Sequence, residues 1–314
     1  MRHCGFAVMW LIVCCLTACT SSAVLAIPTA TLPAGTATTV PLTPTPQVTL
    51  PPAQYVVKTL AHGFGSPDDL VLDSQQRVLF SDFGNNAINL LQADGIKIPL
   101  VQNLREPEGL ILFPDGSLLV AVQGHNGDHL DAVLHFDHGS MVPKTFVSFQ
   151  NATNTPGVDG ISRDPRTGDI LVADSPNGII YRVSPDGSSK TVIASGFVRP
   201  TMAIADRQGA IYIADEYGNA VVRIAADGTK TMIAHLSDPD DLAFDLDGTL
   251  LVTVLGDNTV VRLDPLTGHL LGTLGMDLHE PQGLAVDQQG NLYVSEETAN
   301  LVVELQRLPP FPGP

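Results

Sequence analysis

Residues His279–Leu305 read HEPQGLAVDQQGNLYVSEETANLVVEL, and the fold is most clearly indicated by their pattern. Pro281, one variable residue and Gly283 precede a run of alternating apolar residues. A polar turn interrupts the run and a second alternating run follows, which is the pattern of two strands in an antiparallel hairpin. The same phrase occurs earlier as REPEGLILFPDGSLLVAV, from Arg105 to Val122. Such repetition indicates a fold built from copies of one small unit.

The phrase occurs six times along the chain. Its copies begin at Pro67-Asp68-Asp69-Leu70, Pro107-Glu108-Gly109-Leu110, Val158-Asp159-Gly160-Ile161, Pro200-Thr201-Met202-Ala203, Pro239-Asp240-Asp241-Leu242 and Pro281-Gln282-Gly283-Leu284. The intervals between them are 40, 51, 42, 39 and 42 residues. Periods near 40 with several short strands per repeat are typical of a β-propeller, in which each repeat is one four-stranded blade. The sequence therefore predicts an all-β protein with a six-bladed β-propeller over residues 55–308.

The ends of the repeat array predict how the ring closes. The last repeat supplies three strands and lacks the outer one. An additional segment, Tyr55–Leu60, precedes the first repeat and resembles the outer strand Lys230–Ala234 of the fourth. We predict that this N-terminal strand completes the last blade, which removes two open sheet edges. The alternative is an open β-solenoid, in which the repeats stack without closing.

The first 54 residues differ in composition from the repeats. Residues 1–19 contain Arg2, an apolar run too short to span a bilayer, and the ending Leu16-Thr17-Ala18-Cys19. This ending resembles the lipobox of bacterial lipoproteins, which implies a signal peptide cleaved before Cys19 and a lipid on that residue. The alternative is an ordinary signal peptide. Residues 20–54 are uncharged and rich in Thr and Pro, which predicts a disordered tether, and residues 309–314 form a C-terminal tail.

Charge and cysteine content restrict the partners. All four Cys lie within residues 1–19, so the mature domain would fold on its core without disulfides. The formal net charge of −17 argues against nucleic acid and anionic lipid as partners. We expect a monomer at the bacterial cell surface or in the periplasm, in contact with the membrane only through its lipid anchor. Its partner would be a protein, a glycan or a small molecule.

The variable residue after the Pro begins each innermost strand, at the mouth of the central channel. In chain order these residues are Asp68, Glu108, Asp159, Thr201, Asp240 and Gln282. Like charges that converge on one opening raise each other's pKa unless a cation lies among them, and carboxylate and amide oxygens are ligands of hard cations. We therefore predict a divalent-cation site formed by the four carboxylates, with Thr201 and Gln282 as ligand-binding residues. The alternative is a water-filled channel in which these residues only begin strands.

Two loops on the same face depart from the repeat, 124–131 and 150–156. Variable loops on a rigid scaffold are the usual place for binding. His125 and His129 in the first loop could form a second polar cluster over the mouth; the alternative is a solvated loop. A further set of carboxylates ends second strands just before turns with Gly or Asn, and is predicted to be structural: Asp82, Asp174 and Asp215.

The phrase Pro281–Asp287, followed by Gly290–Val294, resembles the NHL repeat. The same register resembles the senescence marker protein and gluconolactonase family of six-bladed propellers. The resemblance extends from Tyr55 to about Leu308 and consists of short motifs. Another related group, the streptogramin lyases, has His after the blade Pro, and this sequence contains no Pro-His-Gly.

The resemblance implies a set of ligands. In the gluconolactonase family a divalent cation at the mouth is held by a Glu, two Asn and an Asp, and the Asp also acts as general base. In blade order, the corresponding residues here are Asp68, Asp159, Thr201 and Asp240. Only Asp240 matches in type, Thr201 is a poor replacement for a ligand amide, and Glu108 adds a carboxylate that the family pattern does not require.

Two functions remain open at this point. In the first, the domain is a surface-tethered binding propeller that holds a ligand on its mouth face. In the second, it is a metal-dependent hydrolase of lactones or similar esters, in which Ca²⁺, Mn²⁺ or Zn²⁺ polarises the carbonyl and Asp240 activates water. The imperfect ligand set favours binding.

Overall fold

The computed structural model describes residues 54–92, 94–123, 130–150 and 157–308. Cys19, His125, His129, the tether and the tail lie outside these residues. Within the described part, 24 strands form six antiparallel sheets of four strands each. The prediction of an all-β, six-bladed propeller is confirmed.

Each repeat of the sequence corresponds to one blade. Blades one to three contain β2 (Pro67–Leu72), β3 (Val78–Asp82), β4 (Ala87–Leu91), β5 (Lys97–Gln102), β6 (Pro107–Leu112), β7 (Leu118–Val122), β8 (Leu130–Phe136), β9 (Lys144–Gln150), β10 (Val158–Arg163), β11 (Ile170–Asp174), β12 (Ile179–Val183) and β13 (Lys190–Ser195). Blades four to six contain β14 (Pro200–Ala205), β15 (Ile211–Asp215), β16 (Ala220–Ile224), β17 (Lys230–His235), β18 (Pro239–Phe244), β19 (Leu250–Val254), β20 (Thr259–Leu263), β21 (Leu270–Gly275), β22 (Pro281–Val286), β23 (Leu292–Glu296), β24 (Leu301–Arg307) and β1 (Tyr55–His62).

The antiparallel order defines two faces. In each blade the innermost strand begins at the Pro (or at Val158), and this residue pairs with the last residue of the second strand. Pro67, for example, lies opposite Asp82. We call this end of the strands the mouth face and the opposite end, where the first and second strands are joined, the turn face. All six variable residues that follow the Pro therefore lie on the mouth face.

Burial decreases from the second strand outward. Every residue of β3, β7, β11, β15 and β19 is buried, because each of these strands is covered on both faces by neighbouring blades. This explains why they read as continuous apolar runs such as LLVAV in β7, rather than as alternating ones. The outer strands β13 and β17 contain no buried residue, and the first three residues of each are exposed.

The N-terminal strand closes the ring. β1 pairs antiparallel with β24, from Tyr55 opposite Arg307 to His62 opposite Leu301. The sixth sheet is therefore β1-β24-β23-β22, as the orphan segment predicted, with β1 extending two residues beyond Leu60. This closure argues against the open solenoid.

The Gly of the repeated phrase is required by the spacing of the inner strands. A Cβ atom at Gly283 would lie 2.6 Å from the carbonyl oxygen of Asp68 and 2.7 Å from the Cα atom of Asp69 in the next blade. Blades one and five carry Asp69 and Asp241 at this position instead. Their carboxylates accept a hydrogen bond from the backbone N–H of the next inner strand, that of Leu110 and of Leu284, each at 2.6 Å. The position after the variable residue thus joins neighbouring blades, through close contact or through a carboxylate.

Two single-turn 3-10 helices, Phe83–Asn85 and Ser175–Asn177, follow the second strands of blades one and three. The preceding carboxylates hold these turns, since Asn85 donates to Asp82 and Asn177 donates to Asp174. Asp215 accepts bonds from the connection that enters its own blade. The structural role predicted for these three carboxylates is confirmed.

The described residues include no helix with the length and hydropathy needed to cross a membrane.

Candidate functional site

Three carboxylates meet at the channel mouth. Asp68, Glu108 and Asp159 each begin an innermost strand, in blades one, two and three. One carboxylate oxygen from each lies within 4.8 Å of the other two. We call this set the mouth triad. Because the inner strands of consecutive blades approach closely at their first residues, side chains at the position after the Pro (or Val158) can meet at the mouth, and in blades one to three they do.

Burial and mutual repulsion destabilise the charged form of the triad. Burial raises the pKa of Asp68 well above its ordinary value, and the neighbouring carboxylate of Asp159 raises it further. Burial also raises the pKa of Glu108 well above normal, with further contributions from Asp68 and Asp159. For Asp159, burial raises the pKa and the guanidinium of Arg199 opposes the shift. A cation among these oxygens would relieve the repulsion.

Asp240 lies close to the triad but is not part of it. It is 8% exposed, and burial is the main cause that raises its pKa well above normal, followed by the charges of Asp159 and Asp68. A raised pKa makes a carboxylate a stronger base whenever it is ionised. The electrostatic environment of Asp240 is therefore compatible with the predicted role of general base.

Thr201 and Gln282, the uncharged members of the ring, are engaged in hydrogen bonds. The Thr201 hydroxyl donates to the backbone carbonyl of Asp240 at 2.8 Å and is buried. The Gln282 side chain donates to Glu297 at 2.7 Å. Both residues support neighbouring groups of the mouth in this arrangement.

A second ring of polar side chains surrounds the first, and the sequence analysis missed it. Gln123 donates to Glu108, Ser175 donates to Asp159 at 3.3 Å, and Glu297 accepts from Gln282. These residues share one position, directly after the second strand of their blade. The repeat could have revealed this second ring, because its residues always come directly after the residue that pairs with the blade Pro (or with Val158).

Blades one and five break that pattern. Phe83 and Leu255 occupy the second-ring position there, so Asp68 and Asp240 receive no side-chain hydrogen bond from it. Asp68 and Asp240 are therefore the two ring carboxylates that lack a hydrogen-bond donor at the second-ring position of their own blade. Their side-chain partners are other members of the first ring, Glu108 for Asp68 and Thr201 for Asp240.

Arg199 is the second feature that the sequence analysis missed. Its Nη2 atom donates to Asp159 at 3.1 Å, and its Nη1 atom pairs with Glu216, the second-ring residue of blade four. Its guanidinium also lies 5.2 Å from the ring centroid of Tyr217. The mouth thus contains a built-in positive charge among its carboxylates.

A deeper acidic layer lies one residue further along the inner strands. Burial raises the pKa of Asp69 to about 7, although two backbone N–H groups bond its carboxylate and oppose the shift. The pKa of Asp241 is raised well above normal by burial first, and then by the charges of Asp69 and Asp240. Acidic groups therefore continue along the inner strands beyond the mouth, where they bond the backbone of the next blade.

The composition of the triad fits a hard divalent cation. It offers only carboxylate oxygens within the described residues, which are ligands typical of Ca²⁺ and Mn²⁺ rather than of Zn²⁺, whose protein sites usually include His or Cys. The Arg199 contact occupies part of the Asp159 carboxylate. The site thus offers carboxylate oxygens to a cation, but one of these carboxylates, that of Asp159, is already paired with Arg199.

Solved structures with the same architecture include enzymes of two kinds. A gluconolactonase from Xanthomonas campestris shares 18% identity and superposes with a TM-score of 0.66, over 81% of this chain and 90% of that one. A virginiamycin B lyase from Staphylococcus aureus shares 14% identity with a TM-score of 0.61, over 82% of this chain and all of that one. A protein of unknown function from Bacteroides thetaiotaomicron shares 14% identity with a TM-score of 0.66, over 82% of this chain and 76% of that one. The chain has the fold of the gluconolactonase-like six-bladed propellers.

The comparisons reach the fold and no further. No protein-family model matches the sequence, and no curated protein matches it significantly. The propeller also departs from the ligand set that the resemblance implies, since its three clustered carboxylates include Glu108 and exclude Asp240 among the described residues. Its function is therefore inferred from the residues at the channel mouth.

Proposed function

We propose that the propeller binds a divalent cation at the channel mouth and uses it to hold an oxygen-rich ligand on the mouth face. The observation that carries the proposal is the mouth triad, whose three carboxylate oxygens lie within 4.8 Å of one another. Buried like charges at this spacing are unfavourable without a counter-charge. Ca²⁺ and Mn²⁺ are the cations that this donor set favours.

The residues of the mouth would divide the work. Asp68, Glu108 and Asp159 would hold the cation, while Gln123 and Ser175 orient Glu108 and Asp159 through hydrogen bonds. A bound divalent cation supplies a Lewis acid that attracts and polarises carbonyl or hydroxyl oxygens of a ligand. Asp240 would accept or donate a proton at its carboxylate, beside the triad.

The first experiment measures cation binding by calorimetry on chelator-treated protein titrated with Ca²⁺ or Mn²⁺. We expect wild-type protein to bind one equivalent and its melting temperature to rise by mass action. Asp68→Asn and Glu108→Gln keep the shape of each side chain but remove a ligand charge, and should weaken binding roughly tenfold or more. The matched control is Asp227→Asn. Asp227 lies in an exposed turn on the turn face, where its carboxylate accepts a hydrogen bond from the N–H of Thr229. This variant should bind the cation as wild type does. Wild-type protein that takes up neither cation would refute the proposal.

A second candidate function, hydrolysis of a lactone or similar ester, is favoured by the environment of Asp240. The same cation-loaded preparations are assayed for opening of a simple aliphatic lactone. Turnover that disappears in Asp240→Asn while cation binding and folding persist would support the hydrolase. Cation binding without turnover leaves the binding propeller as the function.

We propose further that the domain is a lipoprotein anchored through Cys19, at the bacterial cell surface or in the periplasm. The support is the sequence Leu16-Thr17-Ala18-Cys19 at the end of the apolar leader. In a bacterial host, Cys19→Ser should leave the protein unprocessed or move it from the membrane fraction to the soluble one. If this variant fractionates and migrates like wild type, the anchor is not on Cys19.

A further inference from the structure

The connection into blade four differs from most of the others. In blades one, two, five and six the residue before the Pro has a left-handed backbone, with φ between 38° and 67°. These residues are Ser66, Glu106, Asp238 and Glu280. Each donates its backbone N–H to the side-chain oxygen of an Asn in the turn between the second and third strands of the preceding blade, at 2.9–3.0 Å. The corresponding Asn residues are Asn300, Asn86, Asn219 and Asn258.

Arg199 holds the same position in blade four without that arrangement. The turn of blade three has Gly178 where the other four have Asn, so it provides no side-chain acceptor. The N–H of Arg199 instead donates to Asp215 of its own blade at 2.8 Å, and Arg199 is not among the residues with positive φ. The Gly in the preceding turn thus coincides with a different backbone hydrogen bond at Arg199, which is the only basic residue found before a blade Pro.

The guanidinium of Arg199 is held within the mouth. It bonds Asp159 at 3.1 Å and pairs with Glu216, and its side chain is 19% exposed. The charges of Asp240 and Glu108 also act on it. An arginine remains protonated at every pH of interest, so this positive charge is permanent.

We infer that Arg199 is a tethered counter-ion that competes with the divalent cation for Asp159 and thereby sets the affinity of the mouth for metal. This inference rests on the proposed cation site. The carboxylate of Asp159 faces Arg199, Ser175 and the other two members of the triad, and a bound cation must share its oxygens with the guanidinium or displace it. The two positive charges also repel each other at short range, in surroundings that screen charge poorly.

The test compares Ca²⁺ and Mn²⁺ affinities by calorimetry in wild type, Arg199→Gln and Arg199→Lys. Gln can still donate a hydrogen bond to Asp159 but carries no charge, so its cation affinity should rise roughly tenfold or more. Lys keeps the charge and should stay near the wild-type value. The matched control is Arg182→Gln, because Arg182 is similarly exposed and pairs with Asp164 and Asp169 on the turn face of blade three. Its cation affinity should equal that of wild type.

Folding of the variants provides the second readout. Without cation, Arg199→Gln should melt below wild type because Asp159 and Glu216 lose their counter-charge, and saturating Ca²⁺ should remove much of that deficit. Equal affinity in wild type and Arg199→Gln overturns the inference while leaving the cation site intact. Binding by Arg199→Gln but not by wild type would refute the proposed function of the wild-type protein, and it would support competition by Arg199 because the guanidinium would then exclude the cation from the mouth. Absence of binding in both, or a variant that stays unfolded with and without cation, overturns it.

Discussion

Deletion of β1, residues 55–62, is expected to lower the free energy of unfolding by several kcal/mol, a large part of the roughly 5–15 kcal/mol typical of a domain. β1 pairs with β24 along seven residues, and within the described structure this is the only strand pairing that joins the N-terminal and C-terminal ends of the propeller. Its loss exposes an edge strand and uncovers the apolar layer beneath it, where Val303 and Leu305 are buried. It also removes the phenol of Tyr55, to which Arg262 donates at 3.3 Å.

The measurement is thermal and urea unfolding of a soluble form that begins at residue 20. The matched control removes residues 20–46, which precede the propeller and have no part in its described sheets. We expect the control to unfold as the parent does, and the β1 deletion to unfold far earlier and to aggregate through its open edge. Equal stability of the two deletions would show that β1 does not hold the ring closed.

Stability of the cation-free protein is expected to rise as the pH falls from 8 to about 5.5. Asp69 shows why, since burial raises its pKa from 3.8 to about 7 in the folded protein. The folded state then binds the proton more tightly than the unfolded chain. The contribution of this group is fully present below about pH 4 and is lost as the pH rises toward 7, which amounts to about 4 kcal/mol. The raised pKa values of Asp68, Glu108 and Asp240 act with the same sign.

Melting temperatures across this pH range, with chelator and with saturating Ca²⁺, check the prediction. The chelated protein should melt higher at pH 5.5 than at pH 8. Ca²⁺ binds the ionised carboxylates, so its stabilising effect should be greatest at the upper end. Asp69→Gly, which copies the residue used by blades two, three and six at this position, should flatten the chelated profile. A chelated wild-type protein that is less stable at pH 5.5 than at pH 8 would contradict this account.

The sequence was sufficient for the architecture because each blade is specified locally. A short phrase that begins with Pro in five of its six copies recurs at intervals of 39–51 residues together with tight polar turns, and the additional segment Tyr55–Leu60 indicated the closure. The ring positions after the Pro also followed from the repeat. What the repeat could not supply is which of the six ring side chains meet, because that depends on side-chain length and on contacts between blades.

The missed residues follow the same physical logic. Arg199 reaches Asp159 across 40 residues of chain, and this contact joins two different blades. Asp69 and Asp241 resembled ordinary variants of the Gly position, whereas their carboxylates bond the N–H of the next blade. A comparison of all six copies at each position would have identified Arg199 as the single basic residue before a blade Pro. It would not have shown which carboxylate that residue reaches.

The two ends of the propeller leave it at the same place. The N–H of Leu308 donates to the carbonyl oxygen of Gln54 at 2.8 Å, where β1 begins and β24 ends. Because β24 is the third strand of its blade and runs away from the mouth face, this point lies on the turn face. A support or a tag attached directly at either end of the propeller would therefore lie at the turn face, opposite the acidic mouth.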